Sequence, residues 1–180
     1  ANYFDPYEDL DLIAEVKKKV DYLIIIYHGG IEYYEYPSPL LQKKCRKMID
    51  YGADLVSCQH SHCIGTIENY HTKNIIYGQG NTLFGYRKNN NSWNEGLLLQ
   101  IKLSREGQLK SALSLIPVCA KPIGIQLMGE PEAGERLKEF HKNSEKILDQ
   151  AFIKKSWVNF CNKKKSMYMP YIFGFNRLLI

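Results

Sequence analysis

The run Val20-Asp21-Tyr22-Leu23-Ile24-Ile25-Ile26, ended by His28-Gly29-Gly30, leaves this chain few folds to choose from. Four apolar residues in a row, with no polar alternation, predict a strand covered on both faces, as in a parallel or mixed sheet flanked by helices. A helix with Leu10, Ile13, Ala14 and Lys17 at helical spacing precedes it over residues 9–19. After the Pro37-Ser38-Pro39 break, Leu40, Leu41, Lys44, Cys45, Met48 and Ile49 repeat at helical spacing until Gly52, and Ser38 or Pro39 suits the helix start. Gly52-Ala53-Asp54 then turns into a second strand, "DLVSC". Strand, helix, strand within about 35 residues is a βαβ unit, whose crossover is right-handed in about 98% of cases. Ligands collect outside the carboxyl ends of such strands. His28 ends one and His60 ends the other.

Short strands are expected from residue 66: "TIENY", "NIIYGQGN", "GLLLQIKLS" and "LKSALSLIPV", the last two joined as a hairpin through Arg105-Glu106-Gly107-Gln108. Leu137, Phe140, Ser144, Ile147, Leu148, Ala151 and Phe152 predict one helix over 131–152. Between strands, "GYRKNNNSWNEG" is long enough to move or to lie over a site. The expected class is therefore α/β, a mixed sheet with flanking helices, with one domain over residues 1–152 and an extension over 153–180.

Composition excludes several functions. With 44% hydrophobic and 24% charged residues in 180, the chain has the make-up of a folded domain, and that size buries roughly 70% of the unfolded surface. The net charge of +5 is mild, and its lysines are spread over 17–19, 43–47 and 154–165; no nucleic-acid stripe results, while an anionic substrate suits the field. Lys163, Lys164 and Lys165 read as a solvated run, with contact to a membrane surface as the lesser reading. No apolar run reaches the ~20 residues of a spanning helix, "YMPYIFGFNRLLI" being broken by Pro170 and Gly174. Cys45, Cys58, Cys63, Cys119 and Cys161 show no repeated spacing, which favours free thiols in a reducing, cytoplasmic setting over a disulfide framework.

"SCQHSHCIG" places His60 and His62 two residues apart at a strand end. Neutral imidazoles ligate metals, and two in one turn can serve neighbouring ions; polar loop residues that only bond water are the bland alternative. Cys58 and Cys63 flank the pair, yet a structural zinc site needs a second ligand pair that the sequence lacks. His71 and His141 read as surface residues. Glu32 reads as a loop charge or a ligand contact, and Tyr33, Tyr34 and Tyr36 as rings that pack beneath the loop or stack on a sugar.

"VDYLIIIYHGGIEYYEYPSP", "LLQKKCRKMIDYGADLVSCQHSHCIGTIENY" and "NIIYGQGNTLF" closely resemble the bacterial capsule-synthesis (CapA-like, poly-γ-glutamate biosynthesis) family, within the calcineurin-like metallophosphoesterase superfamily. The resemblance implies that His28, His60 and His62 are metal ligands and that divalent ions are held, two in the intact protein, whether Mn, Fe, Zn or Mg. It makes Glu32 the acidic residue of the first motif, implies supporting roles for Glu32 and Asn81 beside Gly80, and leaves Glu32, Tyr33 and Gln59 as substrate contacts. Gly29, Cys58, Gln59, Ser61, Gly78, Gln79 and Thr82 depart from the family pattern. The aspartate-bearing motifs and the Asn-His pair of the superfamily do not occur here, so the resemblance implies the C-terminal half of a four-layer αββα sandwich. The missing N-terminal half becomes its expected partner, and an anionic polymer or phosphoester its expected substrate. A metal-dependent phosphoesterase of capsule or surface-polymer synthesis is the implied function, and a non-catalytic polymer-binding accessory the alternative. The family's usual membrane association sets a cell-surface location against the cytoplasmic one.

Overall fold

The computed structural model describes residues 4–172; the last eight residues of the expected 153–180 extension, with the Gly174 interruption, lie outside the described residues. Its elements in chain order are α1 (Glu8–Lys17), β1 (Ile24–His28), α2 (Pro39–Asp50), β2 (Leu55–Gln59), β3 (Ile67–Tyr70), β4 (Lys73–Ile76), α3 (Asn91–Asn94), β5 (Glu95–Glu106), β6 (Gln108–Ala120), β7 (Ile125–Leu127), α4 (Glu132–Lys146) and α5 (Gln150–Ile172). The first sheet has the order β1-β2-β4-β3, with β1, β2 and β4 parallel and β3 antiparallel. β5, β6 and β7 form a second, antiparallel sheet. This is the expected α/β class with a mixed sheet and flanking helices.

α2 begins as its sequence predicts. Ser38 accepts from the Leu41 N–H, and Pro39 occupies the first turn, where its missing N–H is no loss. The helix buries Leu41, Cys45, Met48 and Ile49 against Val56 and Cys58 of β2 and Ile75 of β4, in a core that Ile13 of α1 and Ile153 of α5 also enter. All three helices thus cover one face of the sheet.

Asp54 ties the entry points of three elements together. Its carboxylate accepts from Lys17 Nζ (2.6 Å), from Lys73 Nζ and from the Leu23 N–H (2.7 Å), so α1, the lead into β1 and the start of β4 meet on one buried residue. Burial pushes this carboxyl up, but the hydrogen bonds from Lys17, Lys73 and Leu23 outweigh it and hold Asp54 below its usual range. A second buried carboxylate, Glu68, accepts from Arg46 Nε (2.7 Å) and from Tyr77 Oη (2.6 Å), bracing α2 on β3.

Two expectations are corrected. β1 is not covered on both faces: it is the edge strand, with one neighbour, and Ile24 and Ile26 are 42% and 75% exposed. Ile25 and Tyr27 point to the helical core, so the alternate residues, His28 included, share the open face. Nor is 131–152 one helix. Chain direction changes at Ile147-Leu148-Asp149, where the Asp149 carboxylate accepts from the Ala151 N–H (2.8 Å) and starts α5. The break lets Ile147 and Ile153 both reach the core, while Leu148, which a continuous stripe would bury, is 65% exposed. α5 runs unbroken past residue 152. Among the described residues no helix is long and apolar enough to cross a membrane.

Candidate metal centre

Parallel pairing sets His28 opposite Gln59, so the two strands run out of sheet at the same level. The loops beyond are then laced together: the Gly29 N–H donates to Gln59 O (3.1 Å) and the Tyr33 N–H to Ser61 O (2.7 Å). Gly30, at φ 136°, supplies a turn that other residues rarely adopt. Three side-chain-bearing positions of the rim also take left-handed backbone, Tyr33 (φ 62°), His60 (φ 104°) and His62 (φ 55°). Such conformations cost of order 1–3 kcal/mol each and gather where a side chain must be aimed.

The rings are aimed at one another. His28 Nε2 lies 3.1 Å from His60 Nδ1, with ring centroids 5.0 Å apart, and the His60 and His62 centroids are 6.1 Å apart. Asn81 fixes the third ring. Its Nδ2 donates to Trp93 O (2.9 Å) and to His62 O (3.3 Å), which turns Oδ1 toward His62 Nδ1 at 2.9 Å. An amide oxygen only accepts, so in the neutral ring the proton sits on Nδ1 and the Nε2 lone pair is left available. Asn81 can reach this place because Gly80, at φ 71°, approaches the next chain segment closely; a Cβ there would stand 2.3 Å from Glu95 O.

A divalent ion fits part of this arrangement. Nitrogens 3.1 Å apart match two ligands on one ion at metal–nitrogen distances of about 2.0–2.1 Å, and an oxygen acceptor that orients the ring through its far nitrogen, the place the Asn81 amide takes here, is the usual support for a ligating histidine. Among the described residues, however, no group of three or more His, Cys, Asp or Glu side chains encloses an ion.

The candidate substrate contacts divide. Tyr33 is half-exposed, its ring 6.3 Å from that of His62. Gln59 is engaged inward, donating through Nε2 to Gln79 Oε1, which also accepts from Ser57 Oγ (2.7 Å). Glu32 is exposed and makes no side-chain hydrogen bond or ion pair among the described residues. Cys58 is buried with its Sγ 3.5 Å from Cys45 Sγ, and burial pushes the Cys63 thiol up to about 11, with the Ser61 hydroxyl pulling weakly the other way. These thiols are free.

The polar segment 85–96 does lie over the site, through a residue that periodicity could not assign. Trp93 is buried in the short helix α3 and stacks on His62 (centroids 5.0 Å, 29° between planes), with Phe84 edge-on to both His62 (4.6 Å) and Trp93 (5.9 Å) and the Arg87 guanidinium 3.3 Å from the Trp93 centroid. The one signal in the sequence was a tryptophan standing alone among asparagines.

A family model described as bacterial capsule synthesis protein matches residues 6–86, the stretch from the start of α1 through Asn81. That stretch is similar to the bacterial capsule-synthesis family. Two curated relatives agree: PGA biosynthesis protein CapA of Bacillus subtilis (strain 168), 32% identical over 105 residues, and capsule biosynthesis protein CapA of Bacillus anthracis, 32% identical over 68. The matches cover 57% and 38% of this chain but 27% and 16% of those proteins, so the chain spans about a quarter or less of the relatives' length. The capsule-synthesis match contains His28, His60, His62 and Asn81, whereas Trp93, the second sheet and α5 lie beyond residue 86.

Proposed function

We propose that this chain supplies part of the active centre of a metal-dependent phosphoesterase-type hydrolase that works in capsule or surface-polymer synthesis. The observation that carries the reading is the 3.1 Å approach of His28 Nε2 to His60 Nδ1, together with the Asn81 amide that leaves His62 Nε2 as an acceptor. Divalent ions supply, when bound, the Lewis acidity that hydrolysis of an anionic ester draws on. The chain's own residues aim the nitrogens and hold the His62 proton at Nδ1, while the buried Trp93 covers one face of that ring. Tyr33 is the chain's candidate wall for a substrate. The open face of β1 supports a further proposal, that the rest of the fold packs there and brings the anionic ligands that a pair of dications requires.

Titration with Mn²⁺ followed by calorimetry tests the reading. His60→Ala should lower the affinity at least tenfold, and Asn81→Ala within the 10–100-fold typical of orienting residues. With the intact protein, hydrolysis of bis(p-nitrophenyl) phosphate should fall in step. Equal metal binding by wild type and His60→Ala removes the proposal.

The lack of a three-ligand group among the described residues supports a second reading, a non-catalytic accessory that binds an anionic polymer or partner. That protein would hold no metal and keep its polymer affinity in the His60→Ala variant.

A further inference from the structure

Two of the cysteines meet in the core. Cys45 is on the inward face of α2 and Cys58 near the end of β2, both wholly buried, and their Sγ atoms lie 3.5 Å apart. Both are free thiols in this structure. Cysteine packs as a small apolar residue, and packing accounts for either thiol singly. Their meeting adds something, because it joins two elements 13 positions apart in the chain through a contact that chemistry can turn into a covalent bond. Ser57 and Gln59, the neighbours of Cys58 along β2, turn away to Gln79 and leave Cys58 facing α2.

The change needed is small. A disulfide holds its sulfurs about 2.05 Å apart, so each sulfur covers roughly 0.7 Å, a swing of roughly 25° about its Cα–Cβ bond, which side chains tolerate around a rotamer. The native pair is nevertheless unreactive. The hydrogen bond with Cys58, reinforced by burial, pushes the Cys45 thiol well above its usual value, and exchange requires thiolate. Side chains with no exposed surface also leave an oxidant no path. Oxidation therefore belongs to the unfolded or half-folded chain, where both thiols are in water.

We propose that Cys45 and Cys58 form a disulfide when this chain folds in contact with a disulfide oxidant, and stay the dithiol seen here when it folds in a reducing medium. The thiolate of one cysteine attacks the oxidant's S–S bond and releases one thiol; the thiolate of the other attacks the protein sulfur of that mixed disulfide and releases the second. Two thiol protons and two electrons leave the chain, and the oxidant ends as two thiols. The bond closes a loop over the Gly52-Ala53-Asp54 turn and fastens α2 to β2 two residues before His60, so the rim histidine leaves from a strand end that is covalently held. The folded protein then records whether it was made in a reducing cytoplasm or at an oxidising cell surface. Metal binding and hydrolysis play no part in it.

Refolding from urea over a mixture of oxidised and reduced glutathione tests the pair. The Cys63→Ser/Cys119→Ser/Cys161→Ser variant refolded in this way should show no thiol to Ellman's reagent in guanidinium and weigh about 2 Da less than the same protein refolded in dithiothreitol. It should also melt about 5–10 °C higher. Peptide mapping of the wild-type chain, refolded alike, alkylated and digested without reductant, should join the peptide that carries Cys45 to the one that carries Cys58; this arm stands even where the triple variant does not fold. Wild type folded first in dithiothreitol and then given oxidised glutathione should take up glutathione on the exposed Cys161 and stay reduced at Cys45 and Cys58. Free thiols or glutathione on Cys45 and Cys58 after oxidative refolding, a bond from either to another cysteine, or a bridged product that melts no higher than the dithiol would overturn the assignment. Closure in the folded protein as fast as during refolding would overturn the claim that the bond is set by where the chain folds.

Discussion

β1 and β2 are the same sentence written twice, an apolar run that ends beside a histidine, yet the two strands live in different surroundings. β2 has neighbours on both sides, and Leu55, Val56, Ser57 and Cys58 are all buried; β1 has one neighbour, and Ile26 stands 75% exposed. The difference teaches that a continuous apolar run states a demand for cover without saying what answers it. Inside the described residues α2 and β4 answer it for β2. The outer face of β1, which carries His28, stays open, and this is why one half of the histidine pair is exposed and the other held in a half-buried turn.

The contrast breaks most easily in the strand centres. Leu55→Ala should cost about 2–5 kcal/mol, the range for truncating a fully buried leucine, whereas Ile26→Ala should stay within about 0.5 kcal/mol. Urea unfolding of the two variants measures both, and equal losses would mean that β1 is covered in solution. A second experiment addresses the point where both strands begin. Asp54→Asn should cost about 1–2 kcal/mol after allowing for the partly solvated lysines. Because the folded Asp54 carboxyl titrates below its unfolded value, its contribution is present above the unfolded value of about 3.9 and is lost as pH falls through the folded one. Wild type should therefore lose stability on acidification in that window more steeply than Asp54→Asn; parallel curves would show that Asp54 does not couple the strands. The smallest effect is at the strand ends. With His60 at φ 104°, His60→Gly should be more stable than His60→Ala by about 1 kcal/mol, read as a higher midpoint in thermal unfolding. No difference would mean that the turn relaxes and the ring is not held in place by backbone strain.

Much of the site was legible because it depends on local grammar. His28, His60 and His62 were found from strand ends, Gly30 from its turn, and Gly80 and Asn81 from a motif resemblance. Trp93 was not legible, since stacking on His62 brings together residues about thirty positions apart through an irregular loop that has no period. Gln59, which the resemblance implies as a substrate contact, engages its amide nitrogen with Gln79 in a pairing that no local pattern announces. The α4–α5 break was hidden for a related reason. A stripe through Ile147, Leu148 and Ala151 reads as continuous at period 3.6, and only packing reveals that Ile147 and Ile153 cannot both face the core on one straight helix.

The sequence by itself determined the βαβ unit, the start of α2 at Ser38-Pro39, the hairpin turn at Gly107 and the histidines at the strand ends, because each follows from patterns within short stretches of chain. Tertiary structure alone decided which strand became the edge and which ring nitrogens face each other. Those depend on neighbours distant in the chain, whose identity no local pattern encodes.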